Sequence, residues 1–351
     1  MSDLPITPED LDAYFASNVT GSLDRAIGND IFGFNQFGTG SMVPLNRETY
    51  GLTFIVRPQL NLQSGNIRAS RILSSMLNVS PYSIQKVVRA SLDPRYQTGV
   101  SIGSSTLKGN DCPLVDPKQA FFPFLTNNLK SVSGAPDAVV PTYSSSPGLY
   151  KEVYSMVDGS MNIWGEWDAD MTFRNTKGDL IPYLFYIWAR YPTLTFEGTM
   201  LPYLDYVMER ELDYTSRVYR VLLDTDKKTV TKIICFPVAF PISVPVGMFA
   251  DYNSEQPYLD QNKDITIRFR CLGLEIFDDI LIKEFNDTVC IFNTDMEDSN
   301  RDSKMKALSH SDITEGFKNR GYPRINPATS ELEWWYDQDK IEAFADNLEE
   351  S

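Results

Sequence analysis

The feature that most constrains this chain is an alternation of apolar and polar residues, with hardly a break, from Met161 to Arg174, followed at once by a very apolar segment. Alternation with a period of two places successive side chains on opposite faces of a β-strand. Trp167, Ala169, Met171 and Phe173 fall on one face, and polar residues fall on the other. The pattern therefore predicts a strand with one buried face and one face in water.

A helix is predicted from Asp179 to about Arg190, because the apolar residues after the strand recur with helical spacing. The opposite side of this helix is also apolar and includes Tyr183, Tyr186 and Ile187. A helix without a polar side must lie between two apolar surfaces. We therefore predict that these three residues contact either residues 1–135 or another subunit.

Strands and turns dominate the prediction for the second half of the chain. Strands are expected near 150–157, 161–174, 192–197, 214–223, 229–236 and 264–277. The first half gives a strand at 49–57 and short helices at 7–17, 68–77 and 81–91. Three divisions follow: an extension or accessory domain at 1–135, a β-domain at 136–293 and an acidic C-terminal arm at 294–351, with a weak helix signal from Ile341 to Leu348.

The formal charge is −15, from 32 basic and 47 acidic residues, and the acidic excess lies after residue 135. Tight binding to a nucleic-acid backbone requires Lys and Arg in excess, so this composition argues against it. An acidic chain can still surround DNA without gripping it, because like charges repel. No uninterrupted apolar run of membrane-spanning length occurs, so no membrane partner is expected.

Motifs for catalysis are scarce in this sequence. His310 is the single histidine, which argues against most Ser-His-Asp triads and multi-histidine metal sites. No phosphate loop, dinucleotide fingerprint, nucleophile elbow or HExxH pair occurs. We therefore expect a protein that is not an enzyme and that needs no cofactor and no metal.

Glu166, Asp168 and Asp170 are the one acidic constellation, on the polar face of the predicted strand. Four readings apply: an ordinary wet strand face, a divalent-cation site, a carboxylate pair of a carbohydrate-active or sugar-binding β-protein, or a functional acidic surface such as the net acidic inner wall of a ring. Arg268 and Arg270 occupy the polar face of a later predicted strand. Cross-strand pairing with these arginines would make the acids part of ordinary sheet stabilisation.

Three adjacent large rings, Trp334, Trp335 and Tyr336, stand in the acidic C-terminal arm. The polar sequence around them cannot bury all three. We therefore predict that they dock on the rest of this chain or on a neighbouring copy.

The order of elements in residues 150–290 resembles the tail-tube family of contractile-tailed bacteriophages, including the tube-like proteins that join the tube to the baseplate. The residues that carry the resemblance are Met171–Arg174, the helix to Trp188, Phe236–Val244, Phe249–Asn253 and Asp264–Arg270. In that family a strand ending in a Thr-Phe-Arg-like sequence precedes a helix, and a Pro-Ile-Ser-Val-like segment leads to a final long strand.

The resemblance implies an α+β fold, an antiparallel β-sandwich or small barrel of tail-tube type with an inserted helix and extensions at both ends. It also implies a structural virion protein, made in the host cytoplasm, that forms hexameric rings. Its implied partners are other copies of itself, tail sheath or baseplate proteins, and DNA in transient passage. The extra residues 1–135 and 294–351 leave open whether the chain is the repeated tube subunit or a ring at one end. A neck or capsid component outside the tube family is a further alternative.

Overall fold

A computed structural model describes residues 50–95, 101–102, 105–106, 112–161, 163–249, 264–276, 278–308, 321–338 and 341. The expected helix at 7–17, His310, the segment 250–253 and most of the expected C-terminal helix lie outside these residues.

One large antiparallel sheet organises the described part of the chain. Its seven strands are β1 Tyr50–Ile55, β4 Leu129–Ser133, β7 Glu166–Phe173, β8 Ser216–Leu223, β9 Val230–Ser243, β10 Ile265–Leu272 and β11 Glu275–Ile276. The strand order is β1-β8-β9-β10-β7-β4, and β11 pairs with β9. The strand predicted at 161–174 is thus confirmed as β7, which begins only at Glu166 and lies between β10 and the edge strand β4.

Smaller sheets and helices surround this sheet. The remaining strands are β2 Ser101–Ile102, β3 Ser105–Thr106, β5 Thr142–Ser144, β6 Ser155–Val157, β12 Met305–Ala307, β13 Tyr322–Ile325 and β14 Leu332–Asp337. The α-helices are α1 Ser64–Ile67, α2 Ile84–Leu92, α3 Pro123–Asn128, α4 Leu180–Phe196, α5 Leu204–Glu209, α6 Ile280–Phe292 and α7 Arg301–Lys304. Short 3-10 helices occupy Leu73–Leu77, Val246–Phe249 and Thr294–Met296.

Two hydrophobic cores lie against the large sheet. The first packs α4 on the apolar faces of β7 and β10, where Phe185 and Trp188 meet Phe269. The second packs α6 and the sheet β12-β14-β13 on β1 and β8, with Phe285 at its centre. Burial on this scale is the main force that holds the helices to the sheet.

The mixture of helices and antiparallel sheet confirms the α+β class. The described strands form no closed barrel, because β1 and β4 remain as sheet edges. Residues 121–126 bind along β1: the Phe122 N–H donates to the Ile55 carbonyl and the Thr126 hydroxyl donates to the Thr53 carbonyl.

Both edges of the large sheet come from residues before 136, since β1 and β4 pair with β8 and β7. Residues after 293 also join a core, because Met305, Ile325 and Leu332 are buried against α6 and its neighbours. The described residues of the expected extensions are therefore integrated with the β-domain.

The prediction of a strand at 192–197 was wrong, because α4 continues to Phe196 with Pro192 inside it. Proline lacks the N–H that would bond to the carbonyl four residues earlier, and this normally ends a helix. Tyr191 and Leu194 on either side of it are buried in the first core. We infer that this burial offsets the missing hydrogen bond.

Candidate functional site

The acidic residues singled out in the sequence form a ladder of ion pairs with arginines across the sheet. In the register of β7 and β10, Asp170 faces Arg268 and Asp168 faces Arg270. The Arg268 Nε lies 2.8 Å from an Asp170 oxygen, and the Arg270 Nε lies 2.6 Å from an Asp168 oxygen. Arg270 also pairs with Glu166. We call these five residues the Arg–Asp ladder.

The ladder lies on the solvent side of β7 and β10, opposite the face that packs on α4. Arg268 has 52% and Asp170 38% of its side chain exposed. The hydrogen bond that Arg268 donates to the Asp170 carboxylate raises the pKa of the Arg268 guanidinium. Exposed pairs of this kind stabilise a fold weakly, so the main effect of the ladder is to cancel charge. Three acids against two arginines leave a net charge of −1 on this face.

The ladder does not resemble a metal or sugar-cleaving site. Each of the three carboxylates pairs with a guanidinium, which offsets the negative charge that a cation site would need. Within the described ranges, no group of three His, Cys, Asp or Glu side chains is placed to hold a metal ion. This geometry agrees with the reading of the acids as sheet stabilisation.

The second apolar side of α4 is covered from within the chain. The Tyr183 hydroxyl lies 3.1 Å from the Ser75 hydroxyl, which is the expected contact with residues 1–135. Ile187 is fully buried in the first core, and Tyr186 is half-buried against it. Ile187 therefore presents no surface to another subunit. An inter-subunit contact stays a prediction for the half-buried Tyr183 and Tyr186.

The three rings near the C-terminus lie on β14. The Trp334 ring centroid is 6.3 Å from that of Phe54 on β1. The Arg301 guanidinium carbon stands 4.9 Å from the centroid of the Trp335 ring, while Tyr336 is half-buried. Two of the rings thus contact the rest of this chain, and a contact of the three with a neighbouring copy stays a prediction.

A segment at residues 134–165 carries much of the exposed apolar surface. We call this segment the arm; it is distinct from the predicted acidic C-terminal arm at 294–351. Its strands β5 and β6 pair only with each other in the described structure. Additional backbone bonds close the hairpin, from Ser145 N–H to the Tyr154 carbonyl and from Asp158 N–H to the Pro141 carbonyl. Large apolar side chains are exposed along it: Val139, Val140, Tyr143, Leu149, Tyr150, Val153, Tyr154, Met156, Val157, Met161 and Trp164.

The tip of the arm combines apolar side chains with one positive charge. Leu149 is 89% and Tyr150 is 88% exposed. The Glu152 carboxylate turns back and accepts a 2.8 Å bond from the Tyr150 N–H. Lys151 is exposed beside it with a positive φ of 63°. The tip therefore offers an exposed ammonium group next in the chain to two uncovered apolar side chains.

A second exposed apolar surface, which we call the helical corner, spans residues 196–212 at the end of α4 and along α5. Its inner side is anchored: the Tyr203 hydroxyl donates to the buried Asp93 carboxylate at 2.9 Å, and Asp205 pairs with Arg95. Its outer side exposes a row of apolar residues: Phe196, Leu201, Leu204, Val207, Met208 and Leu212. Glu209 and Glu211 are exposed at its border.

Sequence reasoning missed both the arm and the helical corner as surfaces. It predicted an ordinary strand near 150–157, although Leu149 and Tyr150 directly follow Pro147 and Gly148. Apolar side chains in a Gly- and Pro-rich segment are a usable signal, because exposed apolar patches mark interaction sites.

None of the helices in the described residues is both long and apolar enough to cross a bilayer.

Comparison with solved structures finds proteins of contractile injection systems. This chain matches the tube-terminating cap of the anti-feeding prophage at 14% identity, with a TM-score of 0.26. The match covers 45% of this chain and 81% of the cap chain. The PVC sheath/tube terminator matches over 45% and 88% of the two chains at 12% identity, with a TM-score of 0.25. A chain of the PVC sheath-tube complex in the extended state matches over 45% and 82% at 12% identity, with a TM-score of 0.26. Likenesses this low support no conclusion about function.

Comparison with curated protein sequences gives no match. A family model described as "Putative phage tail tube protein" matches residues 13–347, which is nearly the whole chain. This match is independent of the low structural scores. The chain therefore belongs to the phage tail tube protein family, a family of structural proteins of the virion tail rather than of enzymes.

Proposed function

We propose that this protein assembles into hexameric rings that form part of a phage tail tube, or its junction with the baseplate, and that the rings enclose a conduit for DNA. In this proposal the large antiparallel sheet is the tail-tube domain. The copy number of six comes from the sequence resemblance. The other partners are copies in neighbouring rings and proteins of the tail sheath or baseplate.

The observation that carries the proposal is the exposed apolar surface of the arm. A two-stranded hairpin alone is only marginally stable in water, and this one has no core of its own. Monomeric soluble proteins rarely expose a contiguous apolar patch of more than a few hundred Å². Covering the arm by another copy would bury its apolar side chains and fix its conformation.

The Arg–Asp ladder supports a passive channel wall. We propose that its face, with Thr172 and Thr266 beside it, lines the conduit. A surface with paired charges and a net charge of −1 gives phosphates no cluster of free cations to bind. The sequence predicted an acidic wall. In this proposal the wall is nearly neutral at Glu166, Asp168 and Asp170, because Arg268 and Arg270 pair with them. DNA could then slide past without being held.

The rival reading as a carbohydrate-active or sugar-binding protein has less support. A glycosidase needs two carboxyl groups that face a sugar, one of them able to give or take a proton. Here the candidate carboxylates are engaged by Arg268 and Arg270. A neck or capsid role outside the tube family is opposed by the family match over residues 13–347.

Assembly of the purified full chain tests the proposal. Native mass spectrometry and negative-stain electron microscopy over a range of concentrations should show rings or stacked rings. Replacing Leu149, Tyr150 and Tyr154 together by Asp should abolish them, because charged side chains cannot be buried unpaired. Val79→Asp is the matched control, since Val79 is 88% exposed outside the arm, and its rings should persist. A wild-type chain that stays monomeric at every concentration would refute the proposal.

A further inference from the structure

We infer that the tip of the arm of one copy docks on the helical corner of the neighbouring copy. This inference rests on the proposed self-assembly and names the two surfaces that make the contact. The arm and the corner are each exposed in a single copy, with Leu149 at 89% and Phe196 at 93%. They therefore do not cover each other within one chain.

The two surfaces are complementary in chemistry. The tip presents Leu149, Tyr150 and the ammonium group of Lys151, and Glu152 is folded back onto the backbone. The corner presents an apolar row bordered by Glu209, Arg210 and Glu211, which together leave a net charge of −1 at that border. An apolar centre with a charged border is the usual organisation of protein interfaces. Placing Lys151 beside the corner acids would pair charges at that border.

The size of the surfaces also fits a specific contact. A stable interface covers roughly 800 Å² on each partner. The arm exposes large apolar side chains along its whole length, and the corner exposes six more. Both surfaces therefore carry several large apolar side chains that a contact would bury.

The contact is a head-to-tail one, because it joins two different surfaces of identical chains. A head-to-tail contact leaves each copy with one free arm and one free corner, so that it can continue to a closed ring or to a stack. A symmetric contact between two arms would instead end at a dimer. It would also bring two Lys151 ammonium groups together and leave the corner uncovered.

Mixing two variants that each carry one introduced, exposed cysteine tests the inference. The background carries Cys290→Ser, because Cys290 is the partly exposed native thiol while Cys112, Cys235 and Cys271 are buried. One preparation then carries Leu149→Cys and the other carries Met208→Cys. After mixing and assembly, a short bis-maleimide adds to both thiols, and a covalent product of the two variants can only be intermolecular.

The expected result is a mixed Leu149→Cys/Met208→Cys product as the main cross-link, identified by peptide mass spectrometry. Replacing Met208→Cys by Val79→Cys is the matched control, since Val79 is 88% exposed against 75% for Met208 and lies outside both surfaces. Adding Lys151→Glu should lower the mixed yield by about tenfold, and Glu209→Lys with Glu211→Lys should restore it.

Two outcomes would overturn the inference while the proposed function stands, provided that rings are visible by electron microscopy. One is a dominant product between two Leu149→Cys chains, and the other is an equal yield with Val79→Cys. Absence of any assembly would overturn the inference and the proposed function together.

Discussion

The Tyr191 hydroxyl donates a hydrogen bond of 2.5 Å to the Asp213 carboxylate, and both side chains are buried where α4 approaches the start of β8. Burial raises the pKa of Asp213 from 3.8 to about 6, since the low-polarity surroundings disfavour its charged form. The same burial, together with Asp213, raises the pKa of Tyr191.

Stability should depend on pH through Asp213. The folded chain holds the Asp213 proton more tightly than the unfolded chain, so the free energy of unfolding should fall as pH rises from about 4 to about 6. The loss from this group is about 2–3 kcal/mol. Asp213→Asn should remove this pH dependence, because an amide side chain does not titrate. The amide oxygen can still accept the hydrogen bond from the Tyr191 hydroxyl. Urea denaturation at several pH values between 4 and 7 measures the free energy of unfolding. If this free energy falls with pH as steeply in the variant as in wild type, the pH dependence does not come from Asp213.

The apolar side of α4 offers a matched pair of substitutions. Ile187 is fully buried and Tyr186 is half-buried on the same helix. Ile187→Ala should lower the free energy of unfolding by about 2–5 kcal/mol, because it leaves a cavity in the first core. Tyr186→Ala should cost less in the single chain. Equal losses in chemical denaturation would mean that Tyr186 is covered more fully than the single chain shows.

Removing one arginine of the Arg–Asp ladder should change the net charge of this sheet face more than it changes the free energy of unfolding. Arg270→Gln takes the guanidinium partner from both Asp168 and Glu166. Because these side chains are partly exposed, the free energy of unfolding should fall by about 1 kcal/mol or less. Thermal denaturation at low and high salt measures it. A loss of several kcal/mol would show that the ladder is shielded from water and cannot line an open channel.

The attachment of α6 to the sheet should depend on Phe285. Its ring centroid lies 5.1 Å from that of Phe121 and 5.4 Å from that of Tyr219. Phe285→Ala should lower the free energy of unfolding by about 3–5 kcal/mol. Ile291→Ala is the control on the same helix, since Ile291 is 66% exposed, and it should stay within about 0.5 kcal/mol of wild type. Similar losses for the two variants would contradict the described packing.

Local patterning was enough to predict the centre of the fold. Strand β7 and the start of α4 follow from periodicity, because one face of each must be buried. The pairing of Asp168 and Asp170 with arginines was also within reach, since Arg268 and Arg270 show the same alternation on β10. Proline at 192 misled the prediction of where α4 ends, because tertiary burial of Tyr191 and Leu194 decides that end.

Features that depend on distant segments could not be predicted in this way. The pairing of β1 with β8 joins residues 50–55 to residues 218–223, and nothing in either segment specifies its partner. The small sheet β12-β14-β13 lies in the segment that was predicted to be an acidic C-terminal arm. Its buried residues are widely separated in the sequence and so show no periodic pattern. The arm and the helical corner were missed since exposure is a property of the folded chain.

The most direct test of the account is a cryo-electron microscopy reconstruction of the assembled wild-type protein. The account predicts a ring of six copies around an open channel, with Asp170 and Arg268 on the channel wall. A ring whose channel is lined by another face, or a ladder buried between subunits, would contradict the proposed wall. A protein that forms no ring under any assembly condition would contradict the account as a whole.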